Sequence, residues 1–510
     1  MRYILLTLLF FLTPLFSIAN PSTPVLEGID DVISSGLDDL YNLRFSDAER
    51  KFKQAQNQYP NDIKGYFYES LIYFHSAQFS KDEAEYEKFI RISDKVIERC
   101  DDILDDDENN TEVLFYKGQS HSYRSLLMLS QNKSLLQAAS NGSDGYKILS
   151  DVVKKNPGFY DAYMGLGLYR IAIGFLPEKF KWLLSVIGFD GDVREGKRLL
   201  KVAKDKGKFT KVDARVYLSL FTLREKEEDS GETVRMLEGL VNEYPESPAF
   251  HVFYATALQN EGEIDKAIEE ANKSLSLNTH SLQNEIQKAA YFVLGNSHFR
   301  KNDFQNAAKY FEEHLKHVNY NDRYNISLFH TGLSYELSGN RQKAIDFYSK
   351  TRTDFIDERD GDADKLFHLY SQKLINNPIQ KFDSLLLAGM NHRYSYRLDE
   401  ALKVFNGILI SDMMNKMSDD DKIRLYMETG HAYTYNKQDD LAIDYFTRCT
   451  KLDPNSEKWM IPHAYFELGK IYSRKGNKAK ADEMFEKIYD YGEYIFRSFL
   501  EIRLRSYREG

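Results

Sequence analysis

The chain has 510 residues, 42% of them hydrophobic and 29% charged, with a formal net charge of −10. Eleven prolines and 28 glycines argue against long disordered linkers, and an acidic chain without a Lys/Arg block argues against a nucleic-acid partner. Two cysteines, Cys100 and Cys449, are read as buried thiols with no disulfide or metal site, because Cys449 falls on a small-residue packing position.

The amino terminus opens with Arg2 and the apolar run Tyr3–Leu12, followed by Pro14 and the small residues Ser17 and Ala19. This pattern predicts a signal peptide over 1–19, with an uncleaved anchor as the alternative. The mature chain is expected to be exported: periplasmic or envelope-associated in a bacterium, lumenal or secreted otherwise.

One pattern then recurs six times: Gly, Ala twelve residues later, and Phe or Tyr four after that. The first set is Gly36, Ala48 and Phe52. The next two are Gly295, Ala307 and Phe311, then Gly332, Ala344 and Tyr348. The last three are Gly389, Ala401 and Phe405; Gly430, Ala442 and Phe446; and Gly469, Ala481 and Phe485. Spacing of this kind predicts a helical hairpin. Gly on the first helix and Ala on the second let the helices approach closely, and the aromatic fills the groove one turn beyond the Ala.

In chain order, the first hairpin covers about 29–62, and two longer helices follow at about 63–78 and 81–104. The acidic run Asp101–Glu108 reads as a solvated turn. Residues 111–157 form a hairpin whose expanded turn is expected at Ser140-Asn141-Gly142-Ser143. From Tyr160 a further unit begins, but the apolar stretch Ile171–Phe189 intrudes before its second helix resumes at about 193–206. A worn unit (212–247), in which Thr233 replaces the Ala, precedes units at 248–281, 288–321 and 325–358. An extra helix at about 363–376 separates these from units at 382–415, 423–456 and 462–495. The tail from Ile495 to Tyr507 reads as an amphipathic capping helix.

The unit at 423–456, with Tyr426, Gly430, Tyr433, Ala442, Phe446 and Pro454, resembles the tetratricopeptide repeat, a helix-turn-helix of about 34 residues. Segment 158–211 resembles exported bacterial proteins with such repeats and, faintly, the tetratricopeptide repeat protein 39 group. The resemblance implies an all-α, right-handed superhelical solenoid of antiparallel hairpins. It divides into a divergent array at 20–247, a regular array at 248–495 and a cap at 496–510. Each hairpin is expected to bury its apolar edge only against its neighbours.

No catalytic constellation is present: no His-Glu-x-x-His, Cys-x-x-Cys or Gly-x-Ser-x-Gly, and no phosphate-binding glycine loop followed by Lys. His314 and His317 share a helix face, but His314 falls on a small-residue packing position. The acidic stretch Asp357–Asp364 lacks the terminal Glu of a calcium loop and reads as a charged turn in which Asp362 or Asp364 caps the next helix. A non-enzyme without metal or cofactor is expected. The candidate working surface is the concave side of the late units. There Phe292, Asn296, Arg300, Arg393, Tyr394, Arg424, His431, His463, Lys470 and Arg474 are expected to face an acidic segment of a partner protein. The alternative is a membrane-peripheral assembly factor that touches lipid or a membrane protein through 171–189.

Overall fold

The computed structural model describes residues 28–175, 191–225, 230–277, 281–318, 324–354 and 361–509. Regular structure among them is helical, with no strand. The signal-peptide expectation and most of the 171–189 insert lie outside the described residues.

Among the described residues, twenty-two helices pair into eleven antiparallel hairpins. In order these are α1 (Ile29–Tyr41) with α2 (Phe45–Gln58), α3 (Lys64–Ser80) with α4 (Glu83–Asp106), and α5 (Thr111–Ser130) with α6 (Leu135–Lys155). Next come α7 (Ala162–Gly174) with α8 (Val193–Lys206), α9 (Lys211–Glu225) with α10 (Ser230–Glu243), and α11 (Pro248–Asn260) with α12 (Ile264–Ser276). Then follow α13 (Gln283–Arg300) with α14 (Phe304–Leu315), and α15 (Tyr324–Leu337) with α16 (Arg341–Tyr348). A single helix, α17 (Gly361–Asn376), precedes α18 (Lys381–Tyr394) with α19 (Leu398–Leu409). The last pairs are α20 (Asp419–Tyr435) with α21 (Asp439–Cys449), and α22 (Met460–Arg474) with α23 (Lys478–Glu486). Helix α24 (Arg497–Glu509) closes the chain and lays the buried Leu500 and Leu504 against Phe466, Ala481 and Phe485.

Each of the six Gly, Ala and aromatic sets folds as one packing unit. The aromatic ring sits directly over its own glycine, so that a Cβ on Gly430 would lie 2.7 Å from Phe446 Cε1, and one on Gly295 2.7 Å from Phe311 Cδ1. Phe52 covers Gly36, Tyr348 covers Gly332, Phe405 covers Gly389 and Phe485 covers Gly469 in the same way. The alanines Ala48, Ala307, Ala344, Ala401, Ala442 and Ala481 are all buried, as are the six rings. These eighteen positions lie in the seam between the two helices of a hairpin, so they shape the array and present nothing to a partner. Tyr348, the one tyrosine in the series, satisfies its hydroxyl by donating to Glu336 Oε2 at 2.8 Å.

A further regularity is visible only in the structure. The seventh residue after each triplet glycine is left-handed: Leu43, Asn302, Gly339, Tyr396, Lys437 and Gly476 all have φ between 53° and 87°. That residue reverses the chain between the two helices.

The expected turn at Ser140–Ser143 is not a turn. Helix α6 runs through it, and the chain reverses earlier, at the left-handed Asn132, with Ser134 capping α6. The glycines there serve close packing. A Cβ on Gly142 would meet Ser125 Oγ at 2.8 Å, and one on Gly145 would meet the Gly118 carbonyl oxygen at 2.8 Å. Asp362 and Asp364 also act at a distance from their own helix end. Asp362 accepts from the Phe496 N–H, and Asp364 accepts from the Ile326 N–H near the start of α15.

First helices pack against first helices along the array: α1 on α3, α3 on α5, α5 on α7, α11 on α13, α18 on α20 and α20 on α22. No two second helices make comparable contact among the described residues. The first helices therefore form the inner, shorter-radius wall.

The expectation of contacts between neighbours alone fails in the first half, where the winding is tight enough for hairpin one to meet hairpins five and six. Tyr41 donates to Asp213 Oδ2 at 3.0 Å, and Ser247 donates to the Tyr41 carbonyl at 2.7 Å. Leu43 packs in one cluster with Ala249, Val252, Ile286 and Ala290.

Candidate functional site

The inner wall of the second half is built by the last turns of first helices and the turns that follow them. The structure gathers most of the expected residues here, in two adjoining groups. In the first, Asn296 donates to Gln259 Oε1 at 2.9 Å and Arg300 donates to the Gln259 carbonyl at 2.5 Å. Arg393 is buried and pairs with Glu428 at 2.7 Å. Tyr394 lies between the two arginines, its ring centroid 4.1 Å from the Arg393 guanidinium carbon and 5.5 Å from that of Arg300. Non-adjacent hairpins meet at this point. Asn391 of α18 donates to the Phe299 carbonyl of α13 at 2.9 Å, and Gly262 abuts Ser395 and Tyr396.

The second group centres on Glu467, which is buried. Burial alone would raise its carboxyl, but Lys470, His431 and Arg503 pull it down to about 2. Lys470 pairs with it at 3.3 Å, and Arg503 approaches at 3.9 Å. Burial pushes the His431 imidazole down to about 4 and the His463 imidazole down to about 3, so both are neutral at pH 7. His431 is edge-on to Phe446 at 5.3 Å, and His463 to Trp459 at 5.4 Å.

Three expected residues stand apart. Phe292 packs inside its own hairpin against Phe311 and His314. Arg424 pairs with Asp383 at 2.9 Å, and Arg474 with Asp439 at 2.5 Å. His314 and His317 also separate. His314 is buried, with Nδ1 2.7 Å from the Lys288 carbonyl and Nε2 2.9 Å from Ser327 Oγ. His317 stacks on Tyr291.

The basic side chains are legible from spacing, but their acidic partners are not. Glu428 and Glu467 each stand two residues before a triplet glycine, on the same inner wall, and that register is the available signal. With them in place, four of the five Arg or Lys residues expected here are paired: Arg393, Arg424, Lys470 and Arg474. Two further aromatics line the wall, Tyr396 at 44% and Tyr435 at 45% exposure, in edge contact at 5.6 Å.

A second polar cluster lies inside the first half. Asp213 is buried, bonded to Tyr41, and 3.8 Å from His75 Nε2. Burial raises its carboxyl to about 7, against the Tyr41 hydrogen bond, and lowers His75 to about 4. Among the described residues no group of three or more His, Cys, Asp and Glu is placed to hold a metal ion.

Family models match three parts of the chain. Residues 158–321 match Iml2/Tetratricopeptide repeat protein 39, residues 423–456 and 462–491 match one tetratricopeptide-repeat model, and residues 292–358 match another. No curated protein matches the chain. Similar solved structures include a human IFIT1 dimer with m7Gppp-AAAA (TM-score 0.38, 13% identity, 91% of this chain and 94% of that one). Yeast Tom70 is similar at TM-score 0.30 and 11% identity, over 91% of this chain and 99% of that one. The APC/C hetero-tetramer Cut9-Hcn1 is similar at 0.27 and 13%, over 94% and 96%. Scores this low give the ligands of those proteins no bearing on this chain.

Proposed function

We propose that this tetratricopeptide-repeat chain is a non-catalytic, exported scaffold that holds segments of other proteins against the inner wall of its second half. The observation that carries the reading is the pair Tyr396 and Tyr435, large rings left open on the inner wall beside Arg300. Export rests on the amino-terminal sequence, and the absence of catalysis on the lack of a recognisable constellation. Asn296, Arg300 and Tyr394 are the expected residues best placed to meet a partner. Arg393 and Arg424 hold the wall together through Glu428 and Asp383, so reversing their charge would test stability before binding.

The test compares proteins captured from the native envelope fraction by the wild type and by a Tyr396→Ala/Tyr435→Ala variant. Loss of the captured partner supports the reading, and unchanged capture counts against it. A second reading, peripheral membrane contact, rests on the apolar sequence of 171–189. Deleting 172–189 and finding unchanged membrane association would remove it. Among the described residues no helix is long and apolar enough to cross a membrane.

A further inference from the structure

We infer that residues 381–509 swing as one body about Ile379 and Gln380, and that hydrogen bonds to α13 and α17 latch this body shut. The device needs no partner and stands apart from the scaffold reading.

The repeat stack is broken at one junction. Each helix packs closely on the next from α1 to α17, and again from α18 to α23, but α17 and α18 do not pack closely on one another. Helix α18 lies against α13 instead. The apolar core divides at the same place. One cluster runs from Phe382 to Ile471 within the last three hairpins. Another joins α13, α15 and α17 through Phe299, Phe329 and Phe367, and Leu387 is the residue of 381–509 packed against it. A segment with its own core keeps its shape when its attachment changes.

The attachment is mainly polar. Asn391 Nδ2 donates to the Phe299 carbonyl at 2.9 Å and to Asn302 Oδ1 at 2.8 Å. Tyr370 of α17 donates to Glu457 at 2.9 Å, and the Phe496 N–H donates to Asp362 at 2.9 Å. Bonds of this kind exchange for water at small net cost, so a seam built on a few of them can open.

The pivot is narrow. Arg341 donates to the Leu374 and Ile375 carbonyls at 2.5 and 2.9 Å, and Glu336 accepts from the Ile379 N–H at 2.9 Å, which ties the end of α17 to hairpin eight. On the other side, Gln380 and Asp383 form the capping box that starts α18. Rotation is therefore confined to the backbone bonds of Ile379 and Gln380, a loop-sized hinge. Swinging changes the inner wall, because the seam presses Tyr396 onto Gly262, where a Cβ would lie 2.8 Å from the Tyr396 ring. Opening bares that edge of Tyr396 and lifts Tyr394 off Arg300.

The experiment uses the full chain with pairs of spin labels, whose separation is read by double electron–electron resonance. Both native cysteines are buried, so the labels go to introduced ones. Asn272→Cys with Ile410→Cys spans the seam, and Ile410→Cys with Lys475→Cys lies within the body, all at exposed positions. Adding Tyr370→Phe and Asn391→Ala should populate a second distance across the seam at least about fivefold more than in the chain without them. Tyr370→Phe alone, which removes a hydroxyl and little packing, should give a smaller change of the same kind. The distance within the body should stay single and unchanged throughout. An across-seam distance that neither variant alters overturns the latch. A within-body distance that broadens together with the other shows that 381–509 does not hold its shape without the seam, and overturns the swinging body.

Discussion

The ring of Phe446 occupies the space in which a side chain on Gly430 would begin, with Cε1 2.7 Å from that position. The same relationship holds in all six sets, so the repeat is a shape rule before it is a sequence motif. Gly430→Ala should cost about 1–2 kcal/mol, because overpacking outweighs the helix propensity that Ala adds. Phe446→Leu in the same chain should return part of that loss, since the two residues share one space. Hydrogen exchange in α20 and α21 measures both, and strictly additive effects would contradict the packing account.

Lys437 stands seven residues after Gly430, in a left-handed turn at φ 57°. That conformation costs an L-residue with a Cβ about 1–2 kcal/mol. Lys437→Gly should therefore stabilise the hairpin, by less than that amount because glycine gains freedom in the unfolded chain. Slower amide exchange at the turn is the expected result.

Much of the fold is readable in the order of residues alone. Small residues at a fixed offset from an aromatic can be satisfied by few arrangements, and crossing helices are one of them. The same small residues mislead at 140–143, where Asn141, Gly142 and Ser143 resemble turn chemistry but serve a close helix crossing. Gly punctuates some chains and permits contact in others, and composition alone does not separate the two. At the candidate site, spacing finds Arg300 and Arg393 but misses Glu428, which neutralises one of them. The seam joining Tyr41 to Asp213 is out of reach, because superhelical pitch accumulates from small rotations at every hairpin.

That seam should depend on pH. Asp213 has its carboxyl raised to about 7 in the folded chain, from an ordinary value of 3.8. The proton is thus bound more tightly when folded. Its stabilisation is complete below the ordinary value and is lost as pH rises through about 7. His75, lowered to about 4 from 6.5, acts in the opposite sense, losing stability as pH falls through that interval. The two oppose each other below pH 6.5, so the Asp213 effect should emerge between about 6.5 and 7.5, at roughly 0.7 kcal/mol per pH unit because the folded carboxyl is about half-titrated there. Asp213→Asn should flatten the stability profile there, as read by chemical denaturation. A profile parallel to that of the wild type would contradict the assignment.

Leu43 is buried among Ala249, Val252, Ile286 and Ala290, more than 200 positions away. Leu43→Ala should cost about 2–4 kcal/mol locally and raise hydrogen exchange in α11 and α13 as well as in α1. Exchange that rises only near residue 43 would mean that the first hairpin does not brace the sixth.

Which side of the array does the work decides between a scaffold that binds along its inner wall and a rod that binds by its outer face. A photo-crosslinking amino acid placed at Tyr396, on the inner wall, and separately at Ile410, 88% exposed after α19, tests this most directly in the native compartment. The scaffold account predicts a discrete protein adduct from position 396 and none from 410. Adducts from 410 with none from 396 would contradict it.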